Sequence, residues 1–437
     1  MSKLLKNSIS FVIWIFLGKI LISKAVFSHH FSVQSNSDAL YTYLFAKDLV
    51  NNITIINGWA LPPSNYFFPD VFLFYLTLLA DFSFYDIFCV WIGFLLFLLF
   101  KISREYSGNF LGSLFLPFLT IILTLGDLDQ KGQWLLPGFH SGMILGFYIL
   151  SKNNQITMTQ IFILLLLSIS DLWFLPTILL PFVIFNRYFS SYTNFFKNLA
   201  WFSLFYIFIS KWINSFFSKA FAYSNIPISW KVSRLFHSLI QQDFFTWFLL
   251  ILFLYSIYQL LKLNSDRNSK LVLLASWNYL FLLGLGLPSK TRYLVIAYLC
   301  LGILILKIWN RLPLALLRNT LFFGLVGSHS IFSHLSTSNL TLRTECFVGA
   351  PVDRHWVSDY WSAKYMKVFS NDKIAPLPVD EYGNLYHWIH NRRWHKEWDL
   401  PSQYYFYSRK EEKIPVNGKV EKEKSCGDGK ILSIQRQ

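Results

Sequence analysis

Long apolar runs separated by short polar segments set the rhythm of this chain. Apolar stretches recur at about 7–27, 85–101, 109–126, 137–150, 157–170, 172–186, 197–213, 243–261, 270–287, 292–308 and 317–332. Runs of this kind approach the length a bilayer demands of a spanning helix. The pattern therefore predicts an all-α polytopic membrane protein of about eleven transmembrane helices. The opening Met-Ser-Lys-Leu-Leu-Lys precedes an apolar run as in a signal peptide, but Lys19 and Lys24 interrupt that run. Ser-Lys-Ala-Val-Phe is also a poor small-residue cleavage site, so an uncleaved first span is expected. The run over 157–186 is split at Ser170-Asp171.

The polar segments carry a second pattern. Within the loop 28–69, Asp38–Val50 (DALYTYLFAKDLV) has apolar residues at helical spacing, with Ser37 available as a cap. It predicts a helix lying on a membrane surface. The stretch from Trp59 to Asp70 holds three prolines and predicts a rigid, non-helical passage, followed by a short interfacial helix over 70–83. Beyond 332 the chain turns polar. Two domains are expected: 1–332, spanning the membrane, and 333–437, a small extracytoplasmic α+β domain whose residues 411–437 read as loosely ordered.

Composition supports a lipid environment and narrows the partners. Hydrophobic residues make up 54% of the chain and charged residues 14%, against about 25% charged in a soluble domain. The net charge of +15 sits in short segments such as Lys152, Arg187 and Lys197, or Lys262, Arg267 and Lys270. That arrangement sets orientation by the positive-inside rule and excludes a nucleic-acid interface. The implied orientation is N-terminus inside and C-terminus outside. Cys89 and Cys300 fall in apolar runs, Cys346 and Cys426 in the tail. An outside location permits the latter two to pair. No cysteine or histidine spacing marks a metal site.

Several polar residues stand where chemistry is plausible. Asp38 opens the surface helix, either as a helix-start acid favoured by the dipole or as a general base. Asp127 and Asp129 share one loop, where paired carboxylates orient a metal or simply face water; a divalent ion is the one cofactor left open. His140 opens the following run, and Asp171 lies between two apolar stretches, where a carboxylate is costly unless it caps a helix or works. Lys290 and Arg292 open another run; Arg donates two parallel hydrogen bonds to a phosphate, or else anchors a helix end.

Taken together, Ser37-Asp38-Ala-Leu-Tyr, Phe67-Phe-Pro69-Asp70, Ser170-Asp171 and Arg292-Tyr293 resemble the GT-C superfamily of membrane glycosyltransferases. In the tail, Asp359-Tyr360-Trp361-Ser-Ala-Lys364, His387-Trp388-Ile and Arg393-Trp394 resemble the outer segment of bacterial proteins of that type. The resemblance implies sugar transfer from a polyprenyl-phosphate carrier to an envelope glycan, lipid or protein, within the lipid of a bacterial inner membrane that the chain crosses many times. It implies Asp38 as general base, Asp127 or Asp129 as second acid, Arg292 with Lys290 at the carrier phosphate, and Trp361 as a sugar contact. No WWD signature is present, which argues against transfer of a whole oligosaccharide to asparagine. A transporter would show repeats with charges at mid-span, and none is found. A non-catalytic scaffold would tolerate loss of Asp38 but not of the tail.

Overall fold

The structure is a computed structural model. It describes residues 3–21, 37–51, 53–62, 64–125, 135–152, 157–181, 204–209, 218–219, 267–284, 294–311, 355–380, 382–387, 389–408, 418–426 and 429–436. The chain divides into two compact units. Unit one comprises Met1–Gly18, Cys89–Lys211 and Ala222–Ile331; unit two comprises Lys19–Phe88, Trp212–Phe221 and Phe332–Gln437. The segment after the first run and the polar tail thus belong to one body.

In chain order the described helices are α1 (Lys3–Leu21), α2 (Ser37–Asn51), α3 (Phe72–Leu79), α4 (Phe84–Ser107), α5 (Phe110–Ser113), α6 (Phe115–Leu125), α7 (Gly142–Lys152), α8 (Met158–Ser170), α9 (Arg267–Gly284), α10 (Val295–Arg311) and α11 (Tyr360–Phe369). These lengths correct the eleven-span expectation. A helix rises about 1.5 Å per residue against about 30 Å of hydrocarbon, so a span needs about 20 residues. Among the described residues one helix, α4, is long and apolar enough to cross a membrane, and 72% of its apolar window is buried within the protein. The runs at 109–126, 137–150 and 157–170 hold α6, α7 and α8, of 11, 11 and 13 residues. α8 opens on a capping box of Thr157 with Gln160, and Asn109, accepting from Gly112 N at 2.7 Å, caps the short α5 that precedes α6. The described part of 172–186 includes a π-helical turn, Leu175–Leu179, rather than a regular helix. The expected spans at 197–213, 243–261 and 317–332 lie wholly or mostly outside the described residues.

The all-α polytopic class is replaced by helices plus a mixed five-stranded sheet. The multi-pass inner-membrane placement rested on the span count and is corrected with it. The physical reason is that apolar periodicity alone does not separate a buried core helix from a span. In unit one part of the apolar surface packs on protein, while Val12, Phe16, Phe110 and Phe162 stay exposed. α1 meets α4 so closely that a Cβ on Gly93 would fall 2.6 Å from Ile15 Cα, and Trp14 lies against Phe100 at 5.6 Å between ring centroids.

Unit two contains a parallel pair, β1 (Ala60–Leu61) with β2 (Ser218–Lys219), and a sheet of β3 (Trp356–Asp359), β4 (Leu377–Val379), β5 (Gln403–Ser408), β6 (Lys419–Cys426) and β7 (Gly429–Gln435). Its order is β4-β3-β5-β7-β6, with β3 parallel to β4 and β5, and β5, β7 and β6 antiparallel. α11 makes the crossover from β3 to β4; the chain then passes β3 to reach β5. Val357, Leu377, Val379, Tyr404, Phe406 and Ile434 form the sheet's core. Lys419–Cys426 and Gly429–Gln435, inside the segment expected to be loosely ordered, instead pair as the antiparallel strands β6 and β7. β6 escaped notice because every residue before Cys426 is exposed, so no apolar alternation marks it.

α2 also departs from expectation. It is not a surface helix: Leu40, Tyr41, Thr42, Leu44, Phe45 and Ala46 are all buried within unit two, where α2 packs against α3 and α11. α3 follows the π-helical turn Phe67–Val71 and keeps Phe72, Leu76 and Leu79 exposed while burying Phe74 and Thr77.

Candidate functional site

Of the residues singled out in the sequence, Asp127, Asp129, Lys290 and Arg292 lie outside the described residues. Asp38 lies in the first turn of α2 and Trp361 in the first turn of α11. His140 and Asp171, 31 positions apart, are brought together in unit one, with His140 Nδ1 2.8 Å from Asp171 Oδ2. Both are buried, at 2% and 4% exposure.

Local structure explains that pair. Asp171 ends α8 in an extended conformation, and its Oδ1 accepts from Trp173 N at 3.1 Å. One carboxylate therefore turns the chain and orients an imidazole. His140 has φ 61, a left-handed conformation that few side chains adopt, in the turn just before α7. The edge of Trp173 lies against its ring, 6.2 Å between centroids. A carboxylate at hydrogen-bond distance from Nδ1 fixes the orientation of the ring.

In unit two a second constellation joins α2 to the connection between β4 and β5. Asp48, 8% exposed, accepts on one oxygen from Trp59 Nε1 at 2.9 Å, Asn391 Nδ2 at 2.8 Å and Trp394 Nε1 at 2.9 Å. Burial pushes its carboxyl above the usual aspartate range, against the three hydrogen bonds and the charge of Lys367. Backbone pairing reinforces the junction: Trp59 bridges Asn391, and Ala60 N donates to His390 O at 3.1 Å. Gly58 permits it, since a Cβ there would lie 2.3 Å from both Arg393 Cγ and Asn391 Oδ1.

Bases and aromatic rings surround this clamp. Lys367 lies over the Trp394 ring at 4.5 Å, and Lys364, fully buried, over Tyr360 at 4.3 Å. Lys47 and Lys367 both pair with Asp372. Burial pushes the Asp372 carboxyl up, but the two lysines outweigh it and the net shift is downward. His390 Nε2 meets His395 Nε2 at 3.0 Å, and His387 Nε2 donates toward His390 O at 3.1 Å. Burial lowers all three histidines, His390 well below its ordinary value and His395 to about 4. They are neutral at pH 7.

Among the described residues no group of three His, Cys, Asp or Glu side chains is placed to hold a metal ion. Sequence reasoning passed over Asp48, His390 and His395. The available signal was the density of His, Trp and Arg in HWIHNRRWHKEW, from which only His387, Trp388, Arg393 and Trp394 were drawn. No protein-family model matches the chain, and no curated protein matches it in sequence.

Proposed function

We propose that this chain is a glycosyltransferase that moves a sugar from a polyprenyl-phosphate carrier to an acceptor hydroxyl, with Asp38 as general base. The observation that carries the reading is the Asp48 clamp. It ties the helix that carries Asp38 in its first turn to a tail connection rich in Trp, His and Arg, across 343 positions of sequence. Aromatic faces with neighbouring bases suit a ligand that joins an apolar-faced sugar ring to an anion. The donor class rests on the resemblance of Ser37-Asp38-Ala-Leu-Tyr and the tail motifs to polyprenyl-phosphate-sugar transferases.

In such a transfer the base removes the acceptor hydroxyl's proton as its oxygen attacks the anomeric carbon, and the carrier phosphate leaves with the bonding electron pair. The helix that carries this residue is packed by buried neighbours, and a fixed helix suits the in-line geometry such a transfer requires.

The test is donor consumption. Purified protein in detergent is offered mixed polyprenyl-phosphate sugars with cell-envelope extract, beside Asp38→Asn. Loss of one donor in wild type alone, with unchanged unfolding of the variant, supports the reading and names the sugar. Equal consumption by both proteins removes Asp38 from the role of base. No consumption by either overturns the enzyme.

A further inference from the structure

We propose that His390, with His395, Lys364 and Lys367, forms a buried phosphoryl-binding site in unit two.

Two adjacent residues bear local costs that nothing within the described protein offsets. His390 is 1% exposed, and its Nδ1 is buried without a hydrogen-bond partner. An orphaned buried polar atom costs about 1–3 kcal/mol. Ile389, immediately before it, has φ 43. A β-branched residue in the left-handed region is an outlier that persists where surrounding structure enforces it, often at a ligand site. The loop is thus held in a strained form that buries an imidazole nitrogen facing no protein acceptor or donor.

The surroundings choose the ligand's charge. With His387 and His395 neutral at pH 7, the charges that act on His390 are those of Lys364 and Lys367, the latter over the Trp394 ring beside the imidazole. Their positive field favours an anion. The tautomer agrees. The contact between His390 Nε2 and His395 Nε2 needs one proton, supplied by either ring. If His390 supplied it, Nδ1 would be an acceptor among ammonium groups, yet no ammonium hydrogen reaches it. With His395 as donor, His390 carries its proton on Nδ1 and presents an N–H. A phosphoryl oxygen accepts from that N–H and draws charge from the lysines. The rings of Trp394, at 4.9 Å, and Trp398, at 5.8 Å, wall the imidazole and lower the local dielectric, which strengthens such a bond.

The phosphoryl group has two candidate sources, free phosphate and the head of an isoprenyl phosphate. The second source rests on the glycosyltransferase reading; the first does not, so failure of turnover and failure of this site are separable.

The experiment is a titration of the full chain, labelled with 15N-histidine, with inorganic phosphate in one arm and a short-chain isoprenyl phosphate in the other. Chloride at equal ionic strength is the control. The expected result is a saturable shift of one protonated Nδ1 resonance, assigned by its loss in His390→Gln. Gln places its amide where Nε2 was and Asn where Nδ1 was. His390→Gln should therefore bind about tenfold more weakly or worse, while His390→Asn retains part of the affinity. Saturation in the lipid arm alone assigns the site to a carrier headgroup; saturation in both assigns it to phosphate as such. No saturable shift in either arm of the wild type, or equal affinity in His390→Gln, overturns the proposal.

Discussion

At the scale of single residues, the clamp and the histidine pair make opposite demands on pH. Asp48→Ala removes the acceptor of three buried or half-buried donors at once. With about 1–3 kcal/mol for an orphaned group, it should lower unfolding free energy by about 3 kcal/mol or more, read from the urea midpoint. Asp48→Asn keeps an amide oxygen for some of those donors and should cost less. The histidines supply a pH dependence whose sign follows from their lowered values. His395 falls from 6.5 to about 4, so between those values the unfolded chain takes up a proton that the folded chain refuses. Stability should decline as pH falls from about 6.5 toward about 4, by on the order of 3 kcal/mol for His395 alone. Asp48, whose carboxyl is raised, works the other way. His395→Gln therefore isolates one imidazole: urea midpoints at pH 7.5, 6 and 5 should fall less steeply in that variant than in wild type, with His387 and His390 supplying what slope remains, and an unchanged slope would refute the assignment. The sequence exposed His140 and Asp171 one at a time, because each interrupts an apolar run. It did not expose their pairing, which depends on a turn that brings residues 31 apart to 2.8 Å. Asp48 was illegible for the opposite reason: inside LFAKDLV it reads as the polar side of an amphipathic helix.

At the scale of elements, α2 was legible and its surroundings were not. The 3.6-residue spacing of Leu40, Tyr41, Leu44 and Phe45 marks one apolar stripe, but the helix is buried on further sides too, by α3 and by α11. Those partners come from the neighbouring segment and from more than 300 positions downstream, which no local periodicity encodes. The β6–β7 pair was illegible because an edge strand with charged residues on both faces lacks the alternation that identifies strands. The junction of Gly58 with residues 391–393 gives a prediction at this scale. Gly58→Ala sets a methyl 2.3 Å from Asn391 Oδ1, so the connection between β4 and β5 must move away. Expected are a loss of about 1–3 kcal/mol and an altered Trp emission, since Trp59 and Trp394 lie at 4.9 Å edge to face. Emission and stability equal to wild type would show that the junction yields at no cost.

At the scale of the molecule, composition misled for a stated reason: apolar content measures how much must be buried, not what buries it. Of the long runs, described helices from 11 to 13 residues account for three, and one of them, α8, opens on a capping box. Unit two depends instead on joining distant stretches of chain, and a covalent link fits that construction. Cys426 is disulfide-bonded, while Cys89 and Cys300 are free and buried. The partner expected for it from the sequence, Cys346, lies outside the described residues. Peptide mapping without reductant should then recover Cys346 and Cys426 in one linked species and two alkylatable thiols after unfolding. Reduction removes the constraint on the unfolded chain and should cost about 2–4 kcal/mol. Because Cys426 lies in β6, that loss should appear in the quenching of unit-two reporters such as Trp59 and Trp394, whereas a tryptophan of unit one such as Trp277, bonded to Pro176 O at 2.8 Å, should report little change. Recovery of Cys426 as a free thiol from protein purified under non-reducing conditions would sink the link. A uniform loss across both sets of reporters would show instead that the two units unfold as one.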